Sequence, residues 1–130
     1  MDGSCVTDKT SKAYKLIQTL EVDDRGHYHD GKYLAAAFGT KLGNIGDKFK
    51  ITLSTGKVIY CIKADIKDDR DTINGIVHKS DGSIIEFIVD TDKALKHYGT
   101  ISNKYVLNGN FNNHDDFKGN VEKIEKLTYN

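Results

Sequence analysis

The chain has 130 residues, 38% of them apolar, and its 19 basic and 19 acidic side chains balance. That length suits one domain with a real core, and the apolar share excludes a compositionally disordered polymer. Zero net charge gives no general attraction to nucleic acid or to an anionic membrane, and the aromatics are scattered rather than interleaved with a basic stripe. No run approaches the ~20 apolar residues of a membrane helix, and no apolar signal segment is seen near the N-terminus. The expectation is therefore cytoplasmic synthesis, with neither nucleic acid nor membrane as partner. The two cysteines, Cys5 in a polar leader and Cys61 in an apolar run, have no C-x-x-C spacing. They predict no disulfide and no zinc site, and Cys61 reads as a buried thiol.

In chain order, residues 1–11 read as a flexible polar leader and residues 12–130 as a single β-barrel domain. Lys12 to Asp24 predicts a strand, because Tyr14, Leu16, Leu20 and Val22 alternate while Ile17 falls out of phase. Two short extended pieces follow around Asp30-Gly31, a strong hairpin signal, and "NIGD" at Asn44–Asp47 predicts another turn. The clearest passage alternates Phe49, Ile51 and Leu53, turns at Ser54-Thr55-Gly56, then alternates Val58, Tyr60 and Ile62. Period two on both arms predicts a β-hairpin. A charged loop follows, and "GIVHKSDGSIIEFIVD" predicts a second pair of strands around Asp81-Gly82. In "TDKALKHYG" Thr91 fits an N-cap and Gly99 a stop, so a short helix is predicted. Val121, Ile124 and Leu127 suit a closing strand. Many short strands in a small domain imply a mainly β fold, closed as a barrel or stacked as a sandwich, with one or two short helices.

Several residue groups could carry chemistry. His27 and His29 share one face of an extended segment and could hold a metal with Asp30 or Asp23; two histidines on a solvated turn is the competing reading. The loop Asp65, Asp68, Asp69, Asp71 invites calcium, but Ile73 stands where the third oxygen ligand belongs, so a solvated acidic loop is expected instead. Neither metal nor organic cofactor is expected. The remaining signal is carboxylate. Asp65 ends the first hairpin, Glu86 interrupts an apolar strand, and Asp90 ends that strand. Glu86 shares a face with Ile84 and Ile88. A carboxyl among apolar neighbours is pushed toward the protonated form, as a general acid requires.

"GDKFKITLSTGKVIYCIKAD" followed by a polar loop and "GSIIEFIVDTDKAL" resembles the double-psi β-barrel of the three-aspartate domain, found in spore and cell-wall proteins and in membrane-bound lytic transglycosylase A. Expansins and rare lipoprotein A are more distant relatives. Gly46-Asp47 matches the pair before the first strand, Asp65 the hairpin-end aspartate, and Glu86 the acid of the second strand. The loop after Asp65 is the bulky "IKDDRDTIN" where that family has small residues, and position 86 carries Glu in place of Asp. A second resemblance, over residues 24 to 127, is to uncharacterised proteins of Gram-positive phages and prophages. Its segments are "YLAAAFGT" at Tyr33–Thr40, "EFIVD" at Glu86–Asp90, and Phe117–Lys126.

These resemblances imply a six-stranded double-psi-like β-barrel of phage or mobile-element origin, directed at peptidoglycan in the virion or at the bacterial surface. As a lytic transglycosylase, it would use Glu86 to protonate the glycosidic oxygen and then take the muramyl 6-hydroxyl proton. Asp65 would keep that proton available through its own charge. Asp90, Asp71 and Tyr33 would contact the glycan. The alternative is a non-catalytic tail or baseplate component that binds wall glycan or a neighbouring virion subunit. A neutral surface and the bulky loop favour it.

Overall fold

The computed structural model describes residues 1–68, 70, 72–73, 77–78, 86–99 and 117–127. Among them the fold is mainly β, with nine strands and two short α-helices. The strands are β1 (Glu21–Val22), β2 (Tyr28–Asp30), β3 (Tyr33–Gly39), β4 (Lys48–Leu53), β5 (Val58–Lys67), β6 (Thr72–Ile73), β7 (Val77–His78), β8 (Glu86–Phe87) and β9 (Val121–Leu127). The helices are α1 (Lys12–Ile17) and α2 (Thr91–Tyr98). Seven strands form one mixed sheet in the order β1-β2-β3-β5-β4-β9, with β8 also on β3, while β6 and β7 pair with each other. Among the described residues β1 and β9 end this sheet, and it does not close on itself.

The predicted hairpin forms as β4 and β5, with Phe49 opposite Cys61 and Ile51 opposite Ile59. The turn at Asp30-Gly31 likewise joins β2 to β3. Consecutive strands β3 and β4 are not neighbours, however. β5 lies between them, parallel to β3 and antiparallel to β4. This central position explains the unbroken apolar run "LAAAF". Leu34, Ala36 and Phe38 face one core with Phe49, Ile51, Leu53, Cys61 and Phe87. Ala35 and Ala37 face a second core with Ile17, Ile62, Ala64 and Ile88. A strand covered on both sides has no solvent face to mark with polar residues.

Lys12–Asp24 is not the expected strand. Its first half is α1, which begins where the Ser11 hydroxyl accepts a hydrogen bond from the Tyr14 amide (3.1 Å). Ala13 and Ile17, four residues apart, are the buried pair of that helix. The out-of-phase Ile17 is thus the residue that a helical period requires. Only Glu21–Val22 continues as strand.

The first three residues of the expected flexible leader lie against the body of the domain. Asp2 bridges Val89, the Gly3 amide donates to the Val89 carbonyl (2.9 Å), and the Val89 amide donates to the Met1 carbonyl (2.8 Å). Helix α2 is capped by Asp90 rather than by the expected Thr91: Asp90 Oδ1 accepts from the Lys93 amide (3.2 Å). Thr91 instead donates from its amide (3.0 Å) and hydroxyl (2.6 Å) to Asp2 Oδ2, tying leader to helix. Against the opposing effect of burial, hydrogen bonds from the Ser4 hydroxyl and amide to Oδ1, together with those from Thr91, hold the Asp2 carboxyl well below the ordinary range. Gly26 lets α2 approach: at φ 89° its backbone accepts from the Asp90 amide (2.8 Å), and a Cβ there would lie 2.7 Å from the Ala94 nitrogen. Gly99 ends the helix as expected.

Of the second predicted strand pair, the turn at Asp81-Gly82 lies outside the described residues. Its flanks go elsewhere, β7 to β6 and β8 to β3. The closing strand forms as β9, paired antiparallel with β4.

Candidate functional site

Three charged side chains meet on the α1 face at the C-terminal end of the parallel β3–β5 pair. Ala37 of β3 stands in register with Asp65 of β5 on one side and with Glu86 of β8 on the other. The two acids therefore share a face, their backbones two strand spacings (roughly 10 Å) apart. Simple alternation along β5 would put Asp65 and Lys67 on the opposite face, beside Lys63. The register shift between Ala36 and Ala37 leaves Ala64 as an extra residue in β5, and this bulge turns Asp65 and Lys67 toward Ala37. Small residues then open the path across β3. Ala37 and Gly39 raise nothing between the outer strands, so Lys67 reaches over to Glu86, Nζ to Oε1 at 2.5 Å.

Glu86 is thus placed where the sequence reading wanted an acid, but it is held by an ion pair. Its side chain is 16% exposed and that of Lys67 26%. Asp65 differs. Its Oδ1 accepts from the adjacent Ile66 amide (2.9 Å). Burial raises its carboxyl pKa above the ordinary value, and the nearby Glu86 charge adds to this against the opposing Ile66 bond. Asp65 also lines a pocket of about 510 Å³ whose walls include Val6, Ala13, Ile45 and Ile66, with Cys5 and Ser11 at its polar side.

Of the other expected contacts, Asp90 and Tyr33 do not join this pair. Asp90 caps α2, and Asp71 lies outside the described residues. Tyr33 sits at the opposite end of β3, edge-on to Tyr60 with ring centroids 5.9 Å apart and beneath the Lys48 ammonium at 4.6 Å. His27 and His29 do not converge on a metal. His27 is fully buried, its Nε2 bonded to the Tyr98 hydroxyl (2.5 Å) and its ring against Phe87 and Phe117. Burial pushes its pKa down to about 3. His29 Nδ1 lies 2.9 Å from the Gly31 carbonyl oxygen. Among the described residues no group of three or more metal-ligating side chains assembles. Cys61 is the expected buried thiol, its pKa raised by burial, and Cys5 is exposed.

Sequence reasoning missed two residues. Lys67 was read as part of a solvated loop; its i−2 spacing from Asp65 was the available sign that both share a face. Lys63 was absorbed into an apolar strand. It is 1% exposed, and its ammonium donates to the carbonyls of Gly39 (2.9 Å), Leu42 (2.9 Å) and Gly43 (3.2 Å). It fastens the loop that leaves β3 beside the acid site. No protein-family model matches the chain, and no match is found among curated proteins or solved structures.

Proposed function

We propose that the chain is a cell-wall-directed β-domain of phage or mobile-element origin that binds peptidoglycan glycan without cleaving it, as a tail or baseplate component. The observation that carries the non-catalytic reading is the Lys67–Glu86 ion pair. A general acid must reach the glycosidic oxygen and hand it a proton. Glu86 faces Lys67 across β3 and is largely covered, so it holds structure at that end of the sheet. The binding surface is the adjoining pocket, where apolar walls suit the C–H faces of a sugar and Asp65 offers hydrogen bonds. The placement of β5 between the consecutive strands β3 and β4 fits the crossed strand order that the resemblance implies, although the sheet of the described residues is open and not a closed barrel.

A second reading is favoured by Asp65: its raised carboxyl pKa and its place in the pocket suit it as the proton donor in a lytic transglycosylase. One experiment separates the two. Purified peptidoglycan sacculi are incubated with the protein, sedimented, and their soluble products analysed by mass for anhydro-muropeptides. Binding expects co-sedimentation without anhydro products, weakened in Asp65→Asn. Anhydro products lost in Asp65→Asn but kept in Glu86→Gln would replace it with the catalytic reading. Protein left entirely in the supernatant would overturn both.

A further inference from the structure

The Asp65 pocket, about 510 Å³ in volume, forms where separate pieces of the chain meet. The leader and the start of α1 supply part of its lining, and Ile45 and the end of β5 supply the rest. Val6, Ala13, Ile45 and Ile66 give it apolar walls, and Ile66 keeps 54% of its surface exposed. Asp65 is the acid set among them. Among the described residues it accepts only from the Ile66 amide (2.9 Å) and makes no ion pair. The two basic groups that act on it are committed elsewhere. The Lys67 ammonium is given to Glu86, and the Met1 amine donates to the Phe87 carbonyl (2.6 Å). A partly buried carboxylate without its own cation is poorly compensated, and burial raises the Asp65 pKa accordingly. The other charged lining residues, Asp8 and Lys12, are both exposed and opposite in sign, so the balance of charge is left to Asp65.

A ligand that answers both features carries an ammonium at the end of an aliphatic chain. Its methylenes cover the apolar walls, as lysine stems do on protein surfaces, and its ammonium supplies the charge that Asp65 lacks. A neutral sugar answers only the first. We propose that this pocket is a primary-amine site, which takes a lysine-type side chain along Val6, Ala13, Ile45 and Ile66 and pairs its ammonium with Asp65. The proposal rests on the reading above that this pocket is the wall-binding surface. On that reading the side chain is the diamino acid of a stem peptide, which hangs from the glycan strand. The pocket then selects stems whose side-chain amine is free, because an acylated amine has lost the charge.

The test is titration of the full chain with the wall tripeptide L-alanyl-γ-D-glutamyl-L-lysine, with the same peptide acetylated on the lysine side chain, and with chitotetraose, followed by calorimetry and by amide shifts in NMR. Saturable binding of the tripeptide is expected, with amide shifts at Val6, Ile45 and Ile66. The acetylated peptide should bind at least about tenfold more weakly, because acetylation removes the charge and keeps the chain. Asp65→Asn should weaken the tripeptide by a similar factor, and Asp65→Glu should keep part of its binding. Melting temperature establishes that each variant is folded. No saturable binding of the tripeptide, equal binding of the acetylated peptide, or equal binding by the folded Asp65→Asn variant would overturn the proposal. Failure of the glycan reading is seen separately. Tripeptide binding without binding of chitotetraose overturns the glycan contact and supports the amine site, whereas binding of sacculi and chitotetraose without the tripeptide overturns the amine site alone.

Discussion

The two ends of the β3–β5 pair are built from the same two strands and carry opposite chemistry. At the C-terminal end, Asp65 and Glu86 flank Ala37 on one face, neutralised in part by Lys67. At the N-terminal end, Lys32 and Arg25 surround apolar residues and tyrosine. The acids are oriented by a bulge and by small residues between them, that is, by backbone. The cations are oriented by other side chains, Tyr60 and Asp23. Backbone-set geometry resists single substitutions; side-chain-set geometry does not. The acid end should therefore lose charge without losing shape, while the cationic end should lose both together.

The largest expected effect is at Lys63, which joins the two properties at the acid end. Lys63→Ala leaves three carbonyls near Gly39–Gly43 without their donor and should cost about 3 kcal/mol or more, read by urea denaturation. Stability unchanged within 1 kcal/mol would mean that water replaces the ammonium there. Acid titration comes next. His27 is neutral in the folded state down to about pH 3 but protonates near 6.5 when unfolded. The unfolded state thus binds more protons between those values, and stability should fall as pH drops from 6.5 toward 3, by up to about 1.4 kcal/mol per pH unit. His27→Phe, which keeps the aromatic packing, should flatten that slope in thermal melts across the range.

A double-mutant cycle on Lys67→Met and Glu86→Gln should give a coupling of about 1 kcal/mol, since the pair is half-buried. Zero coupling would make the ion pair incidental and reopen Glu86 as a free acid. The smallest effect has the opposite sign. Asp65 has a raised pKa, so its ionisation at neutral pH opposes folding, and protonation at lower pH relieves this. Asp65→Asn should be neutral or stabilising by about 0.5 kcal/mol at pH 7, discounted for its partial exposure. A clear loss of stability would show that the carboxylate has a structural partner.

Period-two alternation made the β4–β5 hairpin legible, and turn residues marked β2–β3 and the end of α2. Asp65 and Glu86 were legible as a pair because acids are costly in apolar runs. What alternation could not contain was the Ala64 bulge, since a bulge is decided by pairing with β3 rather than by local sequence. Lys67 was missed for the same reason. Helix α1 was missed because its six residues make fewer than two turns, too few to separate period 3.6 from period 2. The roles of Asp90 and Thr91 exchanged because the partner of Thr91 is Asp2, 89 residues away.

Strand β9 has a consequence for how the chain acquires its fold. Lys50 lies opposite Glu125 and Ile51 opposite Ile124, more than 70 residues apart in sequence, while Asp2 bridges Val89 across almost 90. Pairings this distant must close long loops before they return any stabilisation, so folding should be slow for a domain of this size. During synthesis β4 waits as an open sheet edge until residues 121–127 have left the ribosome. Its alternating Lys48, Lys50 and Thr52 give that edge a charged, soluble face for the interval.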